Sequence, residues 1–187
     1  MLPGPFAPLG PSEGFLVVHV ETDVAIERLH ADSRLIGQAL PPGEHLWLVR
    51  MKAGRHRWSR IRLVSQAGGE SGRRPESKGV LNEQEFTFDV EAGAINYPGA
   101  IVVAKFDPGR VLIGIPWWSI LTHAEIRNRN HSAMALRSLA KTHPALLAAH
   151  PIRYAGRSGD RFLQFYTRER GKLARPDAFE GEREMGR

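Results

Sequence analysis

The sequence predicts a mainly β fold: an antiparallel sandwich of seven strands, followed by a C-terminal helix and one added strand. Three observations carry that expectation. Short β-branched and aromatic runs recur between residues 15 and 115, punctuated by turn residues at a spacing typical of sandwiches. Glycine (19) and proline (13) are abundant for a chain of 187 residues, which favours many turns over a helix bundle. Helical spacing emerges only after residue 130.

Residues 15–20, Phe-Leu-Val-Val-His-Val, read as the first strand, and Val24 and Ile26 continue the apolar pattern into a second near 24–30. Pro41-Pro42-Gly43 turns the chain into a strand over 45–51, and Lys52-Ala53-Gly54 turns it again into a run over 55–64. These two runs read as a hairpin. Ile61 and Leu63 share a face that strict alternation denies to Trp58, so a bulge near Ser59 is needed to bring Trp58 and Ile61 together. Residues 65–78 lack periodicity and read as a long loop. Phe86, Phe88 and Val90 alternate with polar residues and face a core. Glu91-Ala92-Gly93 and Pro98-Gly99 bracket a short strand at 94–97, and 100–106 and 111–115 are two more runs. Asn130 or Ser132 can cap a helix through Lys141, with Leu136, Leu139 and Ala140 at helical spacing. Pro144 can open a short turn of helix to Ala149, which Pro151 stops. Residues 161–166 read as the added strand.

This gives a flexible leader over 1–13, one domain over 14–167 and a disordered charged tail over 168–187. With 42% hydrophobic and 25% charged residues the chain is of ordinary globular composition. The absence of cysteine excludes disulfides, thiolate metal sites, cysteine nucleophiles and a cysteine lipid anchor. No apolar window is long enough to span a bilayer as a helix. The first 14 residues have neither an apolar core nor a basic lead, so they do not read as a secretory signal.

The net charge of +6 is unevenly placed. Residues 50–64 carry Arg50, Lys52, Arg55, Arg57, Arg60 and Arg62 with no acid, and 122–167 is also basic, whereas 1–49 is acidic. Such a stretch concentrates any polyanion, whether nucleic acid, anionic lipid or acidic glycan.

The segments 48–58 (Leu-Val-Arg-Met-Lys-Ala-Gly-Arg-His-Arg-Trp) and 86–99 (Phe-Thr-Phe-Asp-Val-Glu-Ala-Gly, then Ile-Asn-Tyr-Pro-Gly) resemble carboxypeptidase-regulatory-like, or prealbumin-like, sandwiches of small bacterial envelope proteins. The resemblance spans about 14–120 and, more loosely, the region to 167. It implies a prealbumin-like sandwich of unknown function, often lipoprotein-borne, with no catalytic residues to carry over. Gly54, Gly93, Tyr97 and Gly99 would be architectural, as would Trp58. The sequence departs from that group in lacking the lipobox cysteine. The periplasm or envelope is expected if an export signal precedes Met1, and the cytoplasm otherwise.

Other constellations are weaker. Gly10-Pro11-Ser12-Glu13-Gly14 has the letters of a serine-hydrolase elbow, but it precedes a strand rather than following one. The eight histidines include no close pair of the kind zinc sites use, so neither metal nor cofactor is expected. Asn130-His131-Ser132 fits a glycosylation acceptor only in a host that reads it. The first functional expectation is a non-catalytic, envelope-associated binding or scaffolding module. Its surface would be the basic hairpin with Arg127 and Arg129, and its partner an envelope protein, glycan or anionic surface. An alternative is an intracellular nucleic-acid-binding protein using the same residues, since an aromatic among cations can serve single strands. A second alternative is a small hydrolase at His123 and Glu125 beside Trp117 and Trp118.

Overall fold

The computed structural model describes residues 8–64, 81, 84–105, 124–157 and 159–173. Mainly β, it arranges two sheets and a layer of helices. The first sheet contains β1 (Glu13–Thr22), β4 (Gly43–Lys52), β7 (Ile95–Tyr97), β8 (Ala100–Lys105), β9 (Ala124–Arg129) and β10 (Ile152–Tyr154). The second contains β2 (Ile26–Ala31), β3 (Arg34–Leu40), β5 (Gly54–Leu63) and β6 (Thr87–Val90), in the order β3-β2-β5-β6. The helices are α1 (Ser132–Thr142), α2 (Pro144–Ala149) and α3 (Arg161–Leu173).

β1 is the middle of the first sheet. One edge pairs antiparallel with β4 along its whole length, from Glu13 opposite Lys52 to Thr22 opposite Gly43. The other edge pairs parallel with β7 near Phe15 and then with β8 from His19 to Thr22. β7 and β8 are thus two halves of one line, broken at Pro98-Gly99. There Gly99 takes φ +102, and a Cβ would collide with the Asn128 side chain and the Arg129 carbonyl, so only glycine fits. β10 continues parallel beside β7, while β9 runs antiparallel beside β8.

Strand alternation divides the apolar side chains of β1 between two clusters. Leu16, Val18 and Val20 face the second sheet and meet Ile26, Leu29, Trp58, Ile61, Phe86, Phe88 and Val90. Phe15 and Val17 face the helices and meet Leu48, Ile95, Tyr97, Leu136, Leu139, Leu147 and Leu163. Burial on both faces explains why residues 15–20 form a nearly unbroken apolar run.

Several expectations take their place in this fold. The second strand is β2, and the bulge falls at Ser59: His30 pairs with Arg60 and Ala31 with Trp58, which leaves Ser59 unmatched and buries Trp58 and Ile61 on one side. The Ser59 hydroxyl is held by the Asp32 carbonyl. Phe86, Phe88 and Val90 are all buried. The helix boundaries fall at Ser132–Thr142 and Pro144–Ala149, although Ala135, not Ala140, joins Leu136 and Leu139 in the buried stripe.

Other expectations are corrected. Residues 45–51 and 55–64 are not a hairpin: β4 pairs with β1, whereas β5 pairs with β2 and β6. The reason is visible in β4, which has apolar residues on both faces (Leu46 and Leu48; Trp47, Val49 and Met51) and belongs in a doubly covered sheet. Lys52-Ala53-Gly54 crosses between sheets, with Gly54 at φ +137. The first sheet is mixed, not antiparallel, because the chain leaves β1 for the second sheet and returns from the same end. Residues 161–166 are helical rather than a strand, and the helix runs through 168–173, the start of the expected tail. The added strand is instead β10. A hairpin partner of β2, the strand β3, was not anticipated, nor was β9. The strand at 111–115, the loop at 65–78 and most of the leader and tail lie outside the described residues.

Candidate functional site

Two polar assemblies stand out, on opposite sides of the molecule. The first is the outer face of the second sheet. Because Trp58, Ile61 and Leu63 point inward, the bulged strand β5 turns Arg55, Arg57, Arg60 and Arg62 to solvent. β2 adds Arg28, directly across from Arg62, and His30, across from Arg60. Acids interrupt this face, and Asp32 lies beside Arg57, from whose backbone N–H it accepts at 3.1 Å. Glu27 lies between two guanidinium groups, with Oε2 3.1 Å from Arg62 Nε and Oε1 3.9 Å from Arg28 Nε. Asp89 faces Arg55 at 3.4 Å. These pairs are exposed or half-buried and contribute little to stability.

The remaining basic candidates are elsewhere. Arg50 and Lys52 alternate with Leu46 and Leu48, on the helix side of the first sheet. Arg127 and Arg129 lie on the edge strand β9, with Arg127 paired to Glu125. Trp58 is wholly buried against Phe88, with ring centroids 5.1 Å apart, so it offers no stacking platform to a nucleic acid. Of the hydrolase candidates, His123, Trp117 and Trp118 lie outside the described residues, and Glu125 is committed to Arg127. Gly93 adopts φ +72 at its turn. Tyr97 is buried, and its hydroxyl accepts a hydrogen bond from the His131 backbone N–H at 3.2 Å.

The second assembly was not anticipated. It sits on the helix side of the first sheet, where the apolar cluster ends. His19 in β1 is fully buried, its Nδ1 3.1 Å from the Tyr97 hydroxyl. Nε2 faces two carboxylates, which only accept, so the ring carries its proton on Nε2 and Nδ1 accepts from the Tyr97 hydroxyl. Nε2 lies 3.2 Å from Glu44 Oε1 and 3.4 Å from Glu21 Oε1, within reach of both carboxylates but in line with neither. Glu21 also receives His131 Nδ1 at 2.5 Å. Glu21 and Glu44 are directly opposed across the β1–β4 ladder, a like-charge placement that is unfavourable by itself. Burial pulls His19 below its ordinary value of 6.5, outweighing the opposite pull of Glu21 and Glu44. Burial likewise pushes the Tyr97 hydroxyl well above its ordinary value.

Beside this group, Asp160 starts α3. Its Oδ1 accepts from the backbone N–H of Phe162 at 2.8 Å and of Leu163 at 3.2 Å, an N-cap. Burial pushes its carboxyl up, but hydrogen bonding by Ser132, Asn130, Leu163 and Phe162 prevails and holds it below 3.8. Among the described residues no group of three or more histidines and acids is arranged to hold a metal ion, and no helix is long and apolar enough to cross a membrane.

Comparisons with protein-family models, with curated proteins and with solved structures return no match for this chain. The resemblance to carboxypeptidase-regulatory-like sandwiches therefore rests on the residues quoted for it alone.

Proposed function

We propose that this chain is a non-catalytic binding module, in the bacterial envelope setting that the resemblance implies, whose outer arginine face engages a polyanionic surface or partner. One observation supports this reading: among the described residues Arg28, Arg55, Arg57, Arg60 and Arg62 share one solvent face, with Glu27 and Asp89 set into it and Asp32 beside Arg57. On a strand, alternate side chains recur about every 7 Å, so such a face meets an extended ligand as a row of forked donors. Arg50, Lys52, Arg127 and Arg129 drop out of that surface, being on the other sheet.

The test is retention on a heparin matrix and on vesicles containing anionic lipid. The double variant Arg57→Glu/Arg60→Glu should stay folded by circular dichroism and lose retention, while Arg127→Glu/Arg129→Glu should keep it. Equal retention of both variants and the parent protein would overturn the assignment. Binding to single-stranded DNA that falls steeply with salt, alongside no binding to heparin or vesicles, would transfer the same face to the nucleic-acid reading.

A further inference from the structure

We propose that His19, Tyr97 and His131 form an acid-released latch that holds the start of α1 on the first sheet. The geometry is a three-part chain of hydrogen bonds across three segments distant in sequence. The His131 backbone N–H, at the entry to α1, donates to the Tyr97 hydroxyl on β7, and that hydroxyl donates to His19 Nδ1 on β1. Both His19 and Tyr97 are at 0% exposure, so water does not substitute for a missing partner.

The direction of the chain depends on the protonation of His19. A neutral ring protonated at Nε2 has a lone pair on Nδ1, which accepts the Tyr97 proton. Adding a proton at Nδ1 converts that acceptor into a donor. The Tyr97 oxygen then faces two donors, Nδ1–H and the His131 N–H, and its own proton loses its acceptor in a dry site. The arrangement is relieved when Tyr97 or the His131 segment moves outward. Two other links fasten the same entry, the His131 ring on Glu21 and the Ser132 and Asn130 side chains on the Asp160 carboxylate, so release frees the backbone link to Tyr97 while the helix stays tethered.

The groups facing His19 come from each element packed on it. Glu21 lies on its own strand, Glu44 on β4, Tyr97 on β7, and His131 at the junction of β9 and α1, its ring centroid 6.2 Å away. Tyr154 and Asp160 lie beyond, acting on Tyr97. Glu21 and Glu44 favour the charged ring and His131 opposes it, but burial is the largest influence and keeps His19 neutral at pH 7. The unfolded chain binds the proton at about 6.5, and the latched state binds it only at lower pH. The latch is therefore fully effective above about pH 6.5 and weakens as pH falls from there towards the folded-state value. The second sheet and its arginine face contain none of these groups.

The test is amide hydrogen exchange on the full chain between about pH 7.5 and pH 5, corrected for the intrinsic pH dependence of exchange. The amides of His131, Met134 and Ala135 should gain about tenfold in exchange for each unit by which the latch resists protonation, and those of β2 and β5 should not change. His19→Gln, which cannot take up the proton, should lose this response. His131→Gln, which keeps the backbone donor, should retain it. Should His19→Gln fail to fold, two measurements on other forms stand in its place. Tyr97→Phe should exchange fast at residue 131 at both pH values. An NMR titration of the parent protein should show the His19 ring gaining its proton below 6.5, in step with opening. The same acid response in His19→Gln, or a His19 ring that stays neutral through the pH at which α1 opens, would overturn the proposal.

Discussion

The first sheet is covered on one face by a second sheet and on the other by three helices, and the two covers are fastened differently. On the sheet side, Leu16, Val18 and Val20 meet a layer of Trp58, Ile61, Phe86 and Phe88. That layer is itself knit by ladders from β3 through β6. On the helix side, Phe15 and Val17 meet Leu136, Leu139, Leu147 and Leu163 from three separate helices. No ladder joins those helices to the sheet. Individual hydrogen bonds do: the His131 N–H to the Tyr97 hydroxyl at the start of α1, and Thr167 Oγ1 to the Ile152 carbonyl midway along α3. A cover made of backbone ladders opens as a unit. One attached by side chains can be loosened a helix at a time, and by protons.

Substitutions on the two faces sharpen this contrast. The largest effect belongs to Trp58→Ala, which empties the centre of the sheet-side cluster and should cost about 3–5 kcal/mol in denaturant melts. Trp58→Phe should cost a much smaller part of that, because the indole N–H has no acceptor to lose. An equal cost for the two would mean that a phenyl ring recovers none of the packing at this site, against its central place in the cluster. Next comes Leu139→Ala on the helix side, at about 2–5 kcal/mol locally. Exchange in α1 to α3 should accelerate while β5 stays protected; acceleration in both would mean that the two covers open together. Asp160→Ala removes the cap of α3 and should cost about 1 kcal/mol. Because its carboxyl is held below 3.8, that contribution is present above 3.8 and lost as pH falls through the lower folded-state value. The gap between parent and variant melting temperatures should therefore close in strong acid. A gap that persists there would remove the cap from the account.

How much of this was legible in the sequence follows the range of the forces involved. Local signals were readable: the apolar run of β1, the bulge that Trp58 and Ile61 demand at Ser59, the alternation of Phe86, Phe88 and Val90, and the Pro144 that starts α2. Where a short apolar run fits two periods, the reading failed. Residues 161–166 read as strand, yet Asp160 turns them into helix by capping Phe162 and Leu163. The hairpin of β4 and β5 failed for another reason. Adjacency in sequence argued for pairing, but apolar residues on both faces of β4 required a place between two layers, and that is a property of the whole fold. The His19 assembly was beyond reach, since its hydrogen bonds join residues 78 and 110 positions apart. The charge of residues 50–64 was legible; its division between two sheets was not.

The position of β1 also bears on how the chain is made. As the chain is synthesised, β4 can cover one edge of β1 after some thirty residues more. Its other edge has to wait for Ile95 and the residues beyond, roughly eighty positions later. At about 5–20 residues per second, that is on the order of 4–16 s during which this strand has one side open. Until β7 and β8 are made, residues 15–20 are an apolar stretch with an unpaired edge, the kind of segment that other chains can pair with.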